Sequence, residues 1–182
     1  MDKISIFIDG GYFDKILKKD FGKAKIDYEK LQKKISTNYD LLRTYYYCCP
    51  LYRVSTPTAE EKDRQRKQDQ FHYSLNRIPH FQVRYGYLQK NIDSSGEIKY
   101  EQKLIDILFA VDLTSLAWQR AIQRAAIITG DGDFIPAIEN IKNAGVVVSL
   151  YYTSNACAEQ LINICDERYS IDKTFIDSIL RE

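Results

Sequence analysis

Apolar positions along this chain come in short runs that alternate with polar stretches of helical period. Residues 4–8 are a compact run ending at Asp9-Gly10-Gly11, which predicts a buried strand leaving a sheet, with a helix to follow through Leu17. Residues 28–35 have helical spacing, and the aromatic, β-prone run 41–49 predicts a second strand stopped by Pro50. Residues 58–76 are charged and helix-forming, opened by the capping-box pair Thr58 and Glu61, and precede a strand over 81–88. A turn-rich break is expected over 91–96.

Residues 103–119 read as a helix that is apolar on most faces, and hence largely buried. The apolar run 125–129 then leads into Gly130-Asp131-Gly132-Asp133. A helix over 134–143 closed by Gly145, a strand over 146–151, a helix over 155–164 and an amphipathic C-terminal helix at about 171–182 complete the pattern. Strands alternating with helices predict a three-layer α/β/α fold with a mostly parallel central sheet. No internal repeat or low-complexity linker divides the chain, so residues 1–182 are expected to form one domain.

Composition narrows the partners. With 26 Lys plus Arg against 25 Asp plus Glu the formal charge is +1, so a nucleic-acid site would have to be a local patch. Asp9 interrupts the N-terminal apolar run, leaving neither a secretory h-region nor a membrane span; no membrane partner and a cytoplasmic location are expected. Cys48, Cys49, Cys157 and Cys165 form no CxxC pair and read as reduced core thiols, while His72 and His80 lack metal-site spacing.

The chemistry points to acids. In parallel sheets the functional crevice lies beyond the C-terminal strand ends, and Asp9 and Asp131 each follow an apolar run at that position. Asp133 adds a third carboxylate. Asp106 sits among Leu104, Ile105, Ile107, Leu108 and Phe109, where a carboxylate needs a partner: Lys103, one helical turn earlier, or a cation. Asp112, six residues on, is well round the helix and reads as supporting or structural. Each acid also has a plain structural role open to it, since Asp131 can cap a helix and Asp9 can close a Gly-rich turn. Gathered together they would repel, and a hard divalent cation such as Mg²⁺ or Mn²⁺ would relieve that repulsion.

Other motifs fail on spacing. Asp131-Gly132-Asp133 begins like an EF-hand loop, but Pro136 and Lys142 occupy its glycine and glutamate positions. There is no GxxxxGK[ST], no GxGxxG and no GxSxG, which leaves metal-assisted phosphoryl chemistry.

Three blocks, IFIDGGYF at 6–13, KLIDILFAVDLTSLA at 103–117 and IITGDGDFIPAI at 127–138, together resemble the NYN domains. Within these the chain is similar to the LabA/DUF88-like group of the PIN-like nuclease superfamily. The resemblance implies a metal-dependent ribonuclease with an acidic pocket for Mg²⁺ or Mn²⁺. By matching motif, Asp9, Asp106 and Asp131 are its catalytic metal ligands and Asp133 an auxiliary acid, with Lys103 and Asp112 supporting. One departure is Tyr12, which stands where many relatives have Asn shortly after the first Asp-Gly. The implied reaction is phosphodiester hydrolysis by metal-activated water, leaving 5′-phosphate and 3′-hydroxyl ends if the 3′ oxygen departs.

The resemblance favours RNA over DNA. Candidate contacts are Arg64 and Arg66, with Lys62 and Lys67, on the charged helix, and Tyr45, Tyr46, Tyr47, Tyr52, Tyr85 and Tyr87 as stacking surfaces. Interleaved Glu60, Glu61, Asp63 and Asp69 favour a solvated helix face instead, and strand tyrosines more often pack than stack. Residues 45–52 or the C-terminal helix could supply a homodimer patch. Two rivals stand beside the nuclease: a haloacid-dehalogenase-type phosphatase, which lacks its second acid because Gly11 follows Asp9, and a non-catalytic module binding RNA or protein.

Overall fold

The computed structural model describes residues 1–92 and 98–181. Its main sheet, among the described residues, has six parallel strands in the order β3-β2-β1-β6-β7-β8. The strands are β1 (Lys3–Asp9), β2 (Asp40–Cys48), β3 (Phe81–Tyr85), β6 (Arg124–Ile128), β7 (Val147–Tyr152) and β8 (Glu167–Ser170). A separate antiparallel hairpin joins β4 (Tyr87–Ile92) to β5 (Ile98–Lys103). The helices are α1 (Gly10–Asp20), α2 (Tyr28–Ser36), α3 (Ala59–Asn76), α4 (Ile105–Trp118), α5 (Ile135–Asn143), α6 (Glu159–Ile164) and α7 (Lys173–Asp177).

Alternation along the strands fills two cores. Ile4, Ile6 and Ile8 of β1 join Tyr46, Ala126, Ile128 and Tyr151 on one face, covered by Phe13 and Ile16 of α1, Leu31 and Ile35 of α2, and Ile176 of α7. Phe7, Tyr45, Tyr47, Ala125, Ile127, Val148 and Leu150 point to the other face, against Phe109 and Leu113 of α4, Ile138 and Ile141 of α5, and Leu161 of α6. Because β1 lies between β2 and β6, successive crossovers diverge from it, and the crevice past its C-terminal end is the topological switch point.

The expected three-layer, mostly parallel architecture is found, with several local differences. The strand expected over 81–88 breaks at Gly86, where a Cβ would run into the Lys103 carbonyl and the Ile105 side chain. The chain leaves the sheet there and pairs with 98–103. Asn91 and Ile92, expected in a turn, lie in β4, and the rest of that turn to Gly96 falls outside the described residues. The strand β8 has no apolar alternation in its burial and was not anticipated; its Glu167 instead pairs with Arg124. Among the described residues of the expected C-terminal helix, Lys173–Asp177 alone are α-helical.

The helix α4 is not largely buried. Leu104 precedes it at φ 71°, so the helix starts two residues later than its apolar pattern suggests. Ile107 and Trp118 keep 60% of their surface exposed and Val111 keeps 52%, because only one face of α4 meets the sheet. Among the described residues no helix is long and apolar enough to cross a membrane.

The edge strand β8 is held by charge. Glu167 pairs with Arg124 of β6 and accepts from Ser149 Oγ at 2.6 Å, and Arg124 lies over the Tyr39 ring at 4.7 Å. The Arg124 hydrogen bond holds the Glu167 carboxyl below its ordinary value of 4.5. The resulting stabilisation is present above that value and is lost as pH falls through the lower folded one. Glu167→Gln should therefore cost about 2 kcal/mol in urea unfolding near pH 7. The gap between variant and parent should close on acidification; a gap independent of pH would show that the ion pair is not its source.

Candidate active site

The site forms where β1 and β6 end. Asp9, the last residue of β1, caps α1: its Oδ1 accepts from the Tyr12 N–H at 3.0 Å. Its Oδ2 accepts from the Thr129 hydroxyl at 3.1 Å. The same Thr129 Oγ1 accepts from the Asp131 N–H at 3.2 Å, so one buried hydroxyl ties the first acid to the loop that carries the second. Asp131 in turn caps the short 3-10 turn Gly132–Phe134 by accepting from the Asp133 N–H at 2.9 Å. Thus Asp9 and Asp131 do perform the capping roles that local chemistry allowed them, and these roles aim their carboxylates.

Close packing fixes the loop. A Cβ on Gly130 would meet the Ala156 carbonyl and, at 2.5 Å, the Tyr12 ring, while the Gly130 carbonyl accepts from the Ala158 N–H at 3.0 Å. Below the acids, the Phe109 and Phe134 rings lie 4.3 Å apart, with Phe7 5.7 Å and Tyr47 4.9 Å from Phe109. Phe109 follows Asp106 by about one helical turn and Phe134 adjoins Asp133, so this aromatic contact sets the separation of the two acidic segments.

Two of these acids are raised by burial and by their acidic neighbours. Burial raises the Asp9 carboxyl above its ordinary value, opposed by its Tyr12 and Thr129 hydrogen bonds and reinforced by Asp106 and Asp131. Asp106 is raised by desolvation, then by Asp131 and Asp133. Asp106 itself is exposed in the first turn of α4, where the helix dipole favours a carboxylate. Its expected burial among apolar neighbours is therefore replaced by a rim position.

The family model for the NYN domain matches residues 3–172. The chain belongs to the NYN domain family. This family lies within the PIN-like nuclease superfamily, which supports a nuclease-type function. Over 99% of this NYN chain and 96% of the other, the fold is similar to the crystal structure of a protein of unknown function from Vibrio parahaemolyticus, with TM-score 0.71 and 21% identity. No curated protein matches it.

In this NYN domain the expected supporting residues have other work. Asp112 is gripped by Arg84, Nε to Oδ2 at 2.9 Å and Nη2 to Oδ1 at 3.0 Å, and also accepts from the buried Tyr47 hydroxyl at 3.0 Å. It ties α4 to β2 and β3. Lys103 closes β5, and the left-handed Leu104 takes it off the helix, so the expected one-turn spacing from Asp106 does not exist. Tyr12 reaches to the end of β7, its hydroxyl accepting from the Thr153 N–H at 3.0 Å. Tyr45, Tyr46 and Tyr47 are buried core residues and offer neither stacking faces nor a dimer patch. Arg66 pairs with Asp63 at 2.7 Å on the exposed face of α3.

The sequence reading missed Thr129 and Asp14. A Thr closing an apolar strand directly before GDGD was the available signal for the first. Asp14, one turn into α1, accepts from the Tyr46 hydroxyl at 3.5 Å and is raised by burial. It lines a cleft of about 350 Å³ beside Gly10 and Gly11, with Lys67, Gln68 and His72 of α3 on the opposite wall.

Oxygen donors of this kind suit a hard divalent cation. Among the described residues, however, no three acid, His or Cys side chains are gathered into a ready-made cage. Asp9, Asp106 and Asp131 are therefore not drawn into a closed cage among the described residues. Such a set fits Mg²⁺ or Mn²⁺ with the carboxylates supplying part of the shell and water and substrate oxygens completing it. Mn²⁺ at 100-fold above its Kd should then stabilise the chain by about 2.7 kcal/mol, read as a rise in Tm. Asp131→Asn should abolish that increment. Asp112→Ala should lower stability by about 2–3 kcal/mol yet retain it; loss of the increment in Asp112→Ala alone would put the ion at the wrong acid.

Proposed function

We propose that this NYN domain is a divalent-metal-dependent ribonuclease of the LabA/DUF88-like kind that hydrolyses phosphodiester bonds with water as nucleophile. The observation carrying this reading is that the Thr129 hydroxyl ties Asp9 to the Asp131 backbone at the switch point between β1 and β6, with Asp106 near enough to raise the Asp9 carboxyl. Asp9, Asp106 and Asp131 would hold Mg²⁺ or Mn²⁺, with Asp133 beside them. When bound, such an ion supplies Lewis-acid polarisation of the phosphate and lowers the pKa of water.

The chain's own groups do the rest. Thr129 and the Tyr12 N–H hold both Asp9 oxygens in a fixed orientation before substrate arrives, so no reorganisation is needed at that acid. The raised Asp9 and Asp106 carboxyls mark a site where added positive charge, or a proton, is favoured. Lys67, facing Gly10 and Gly11 across the neighbouring cleft, provides a cation for a substrate phosphate, although Asp63 at 2.6 Å shares it. The phosphatase alternative is weakened by the engagement of Asp9, whose oxygens point to Thr129 and the α1 backbone and are followed by Gly11 where that chemistry needs a second acid.

Purified protein with Mn²⁺ should cleave single-stranded RNA, leaving 5′-phosphate ends. Asp9→Asn, Asp106→Asn and Asp131→Asn should each reduce the rate by about 100-fold or more. Full activity in any two of these variants would overturn the reading, and RNA binding without cleavage across several divalent metals would favour the non-catalytic module.

A further inference from the structure

Of the tyrosines expected to stack, Tyr52, Tyr85 and Tyr87 remain exposed. Tyr52, on the segment after β2, meets Tyr100 of β5, which was not among them: the ring centroids lie 5.0 Å apart at 43°, with 38% and 47% of the two surfaces exposed. They line a pocket of about 210 Å³ together with Leu51, Val54, Leu88 and Arg64. Glu61 and Gln65 complete its wall, and the Glu61 carboxylate is occupied by the Thr58 N–H at 2.8 Å.

We infer that this pocket is a stacking subsite for a base of single-stranded nucleic acid, with Tyr52 and Tyr100 as the platform and Arg64 at its phosphate side. The inference rests on the nuclease reading for its substrate class, and it names where a base beyond the cleavage point is held.

Three features support it. The platform is built before any ligand arrives: Gln68 Oε1 accepts from the Leu51 N–H at 2.7 Å, Gln65 Nε2 donates to the Tyr52 carbonyl at 3.3 Å, and Arg53 pairs with Asp69 at 3.1 Å, strapping the segment to α3. The volume is too small for a whole ligand of ordinary size but suits one planar ring system. The position is also right. Cys49 lies close enough to Asp106 to be influenced by it, and its thiol donates to the Tyr87 carbonyl at 3.5 Å at the base of the hairpin. Tyr52 is three residues further, within about 11 Å of chain. Tyr100 lies on the strand that leads into α4 and Asp106. A strand whose phosphate lies at the acids can therefore reach the platform within a few nucleotides. Arg64 contacts Glu60 only at 4.0 Å, with both side chains well exposed, so that pair gives little resistance to a phosphate.

Fluorescence anisotropy with labelled single-stranded U12 and A12, in EDTA so that no cleavage intervenes, tests the subsite apart from catalysis. Tyr52→Ala and Tyr100→Ala should each weaken binding of both strands at least about fivefold, because stacking tolerates any base. Tyr52→Phe and Tyr100→Phe should stay within about twofold, and Tyr73→Ala, which removes an exposed tyrosine from another part of α3, should change nothing. Unchanged binding in both alanine variants, or no binding by the parent, overturns the subsite. A parent that binds with this pattern yet cleaves nothing in Mn²⁺ overturns the nuclease reading and leaves the subsite standing. Should the alanine variants fail to fold, 4-thiouridine RNA crosslinked to the parent should map to Tyr52 or Tyr100, and crosslinks confined elsewhere overturn the proposal.

Discussion

Carboxylates set close together would separate if the chain let them, and here the packing beneath does not. The Phe109 and Phe134 rings meet at 4.3 Å under the segments bearing Asp106 and Asp133, and the Thr129 hydroxyl joins Asp9 to the Asp131 backbone. An apolar contact and a buried hydroxyl thus hold carboxylates in a place that electrostatics alone disfavours. That stored repulsion is what a divalent cation can release.

The parallel sheet makes this arrangement local. With β1 at the switch point, Asp9 and the loop after β6 come from adjacent strands, and α4 brings Asp106 over the same rim from the opposite layer. Asp112 shows the contrast on the same helix: Arg84 neutralises it bidentately, and it serves as a tie between α4 and the sheet. The position of the cation separates a structural acid from a candidate ligand more clearly than the type of residue does.

Much of this was legible from residue pattern. The strands β1, β2 and β6 announced themselves as apolar runs closed by Asp, Pro or Gly, β7 as an apolar run opened after Gly145, and the Thr58–Glu61 capping box marked the start of α3. What escaped had physical reasons. β8 is a short, polar edge strand held by Glu167 and Arg124, with no apolar signal. The β4–β5 hairpin depends on Gly86 and on backbone pairing, which periodicity does not report. Asp9 and Asp131 were placed correctly because strand ends are predictable. Asp106 was reached for the wrong reason, since its helix exposes one apolar face and the acid stands at a rim. Tyr45, Tyr46 and Tyr47 pack in the core, the commoner fate of strand tyrosines, and sequence alone did not separate them from Tyr52, Tyr85 and Tyr87, which are exposed.

A crystal soaked in Mn²⁺, with anomalous differences recorded at the manganese edge, tests the central claim most directly. The account predicts a peak among the carboxylates of Asp9, Asp106 and Asp131. No peak there, or one only at acids elsewhere on the surface, would contradict it.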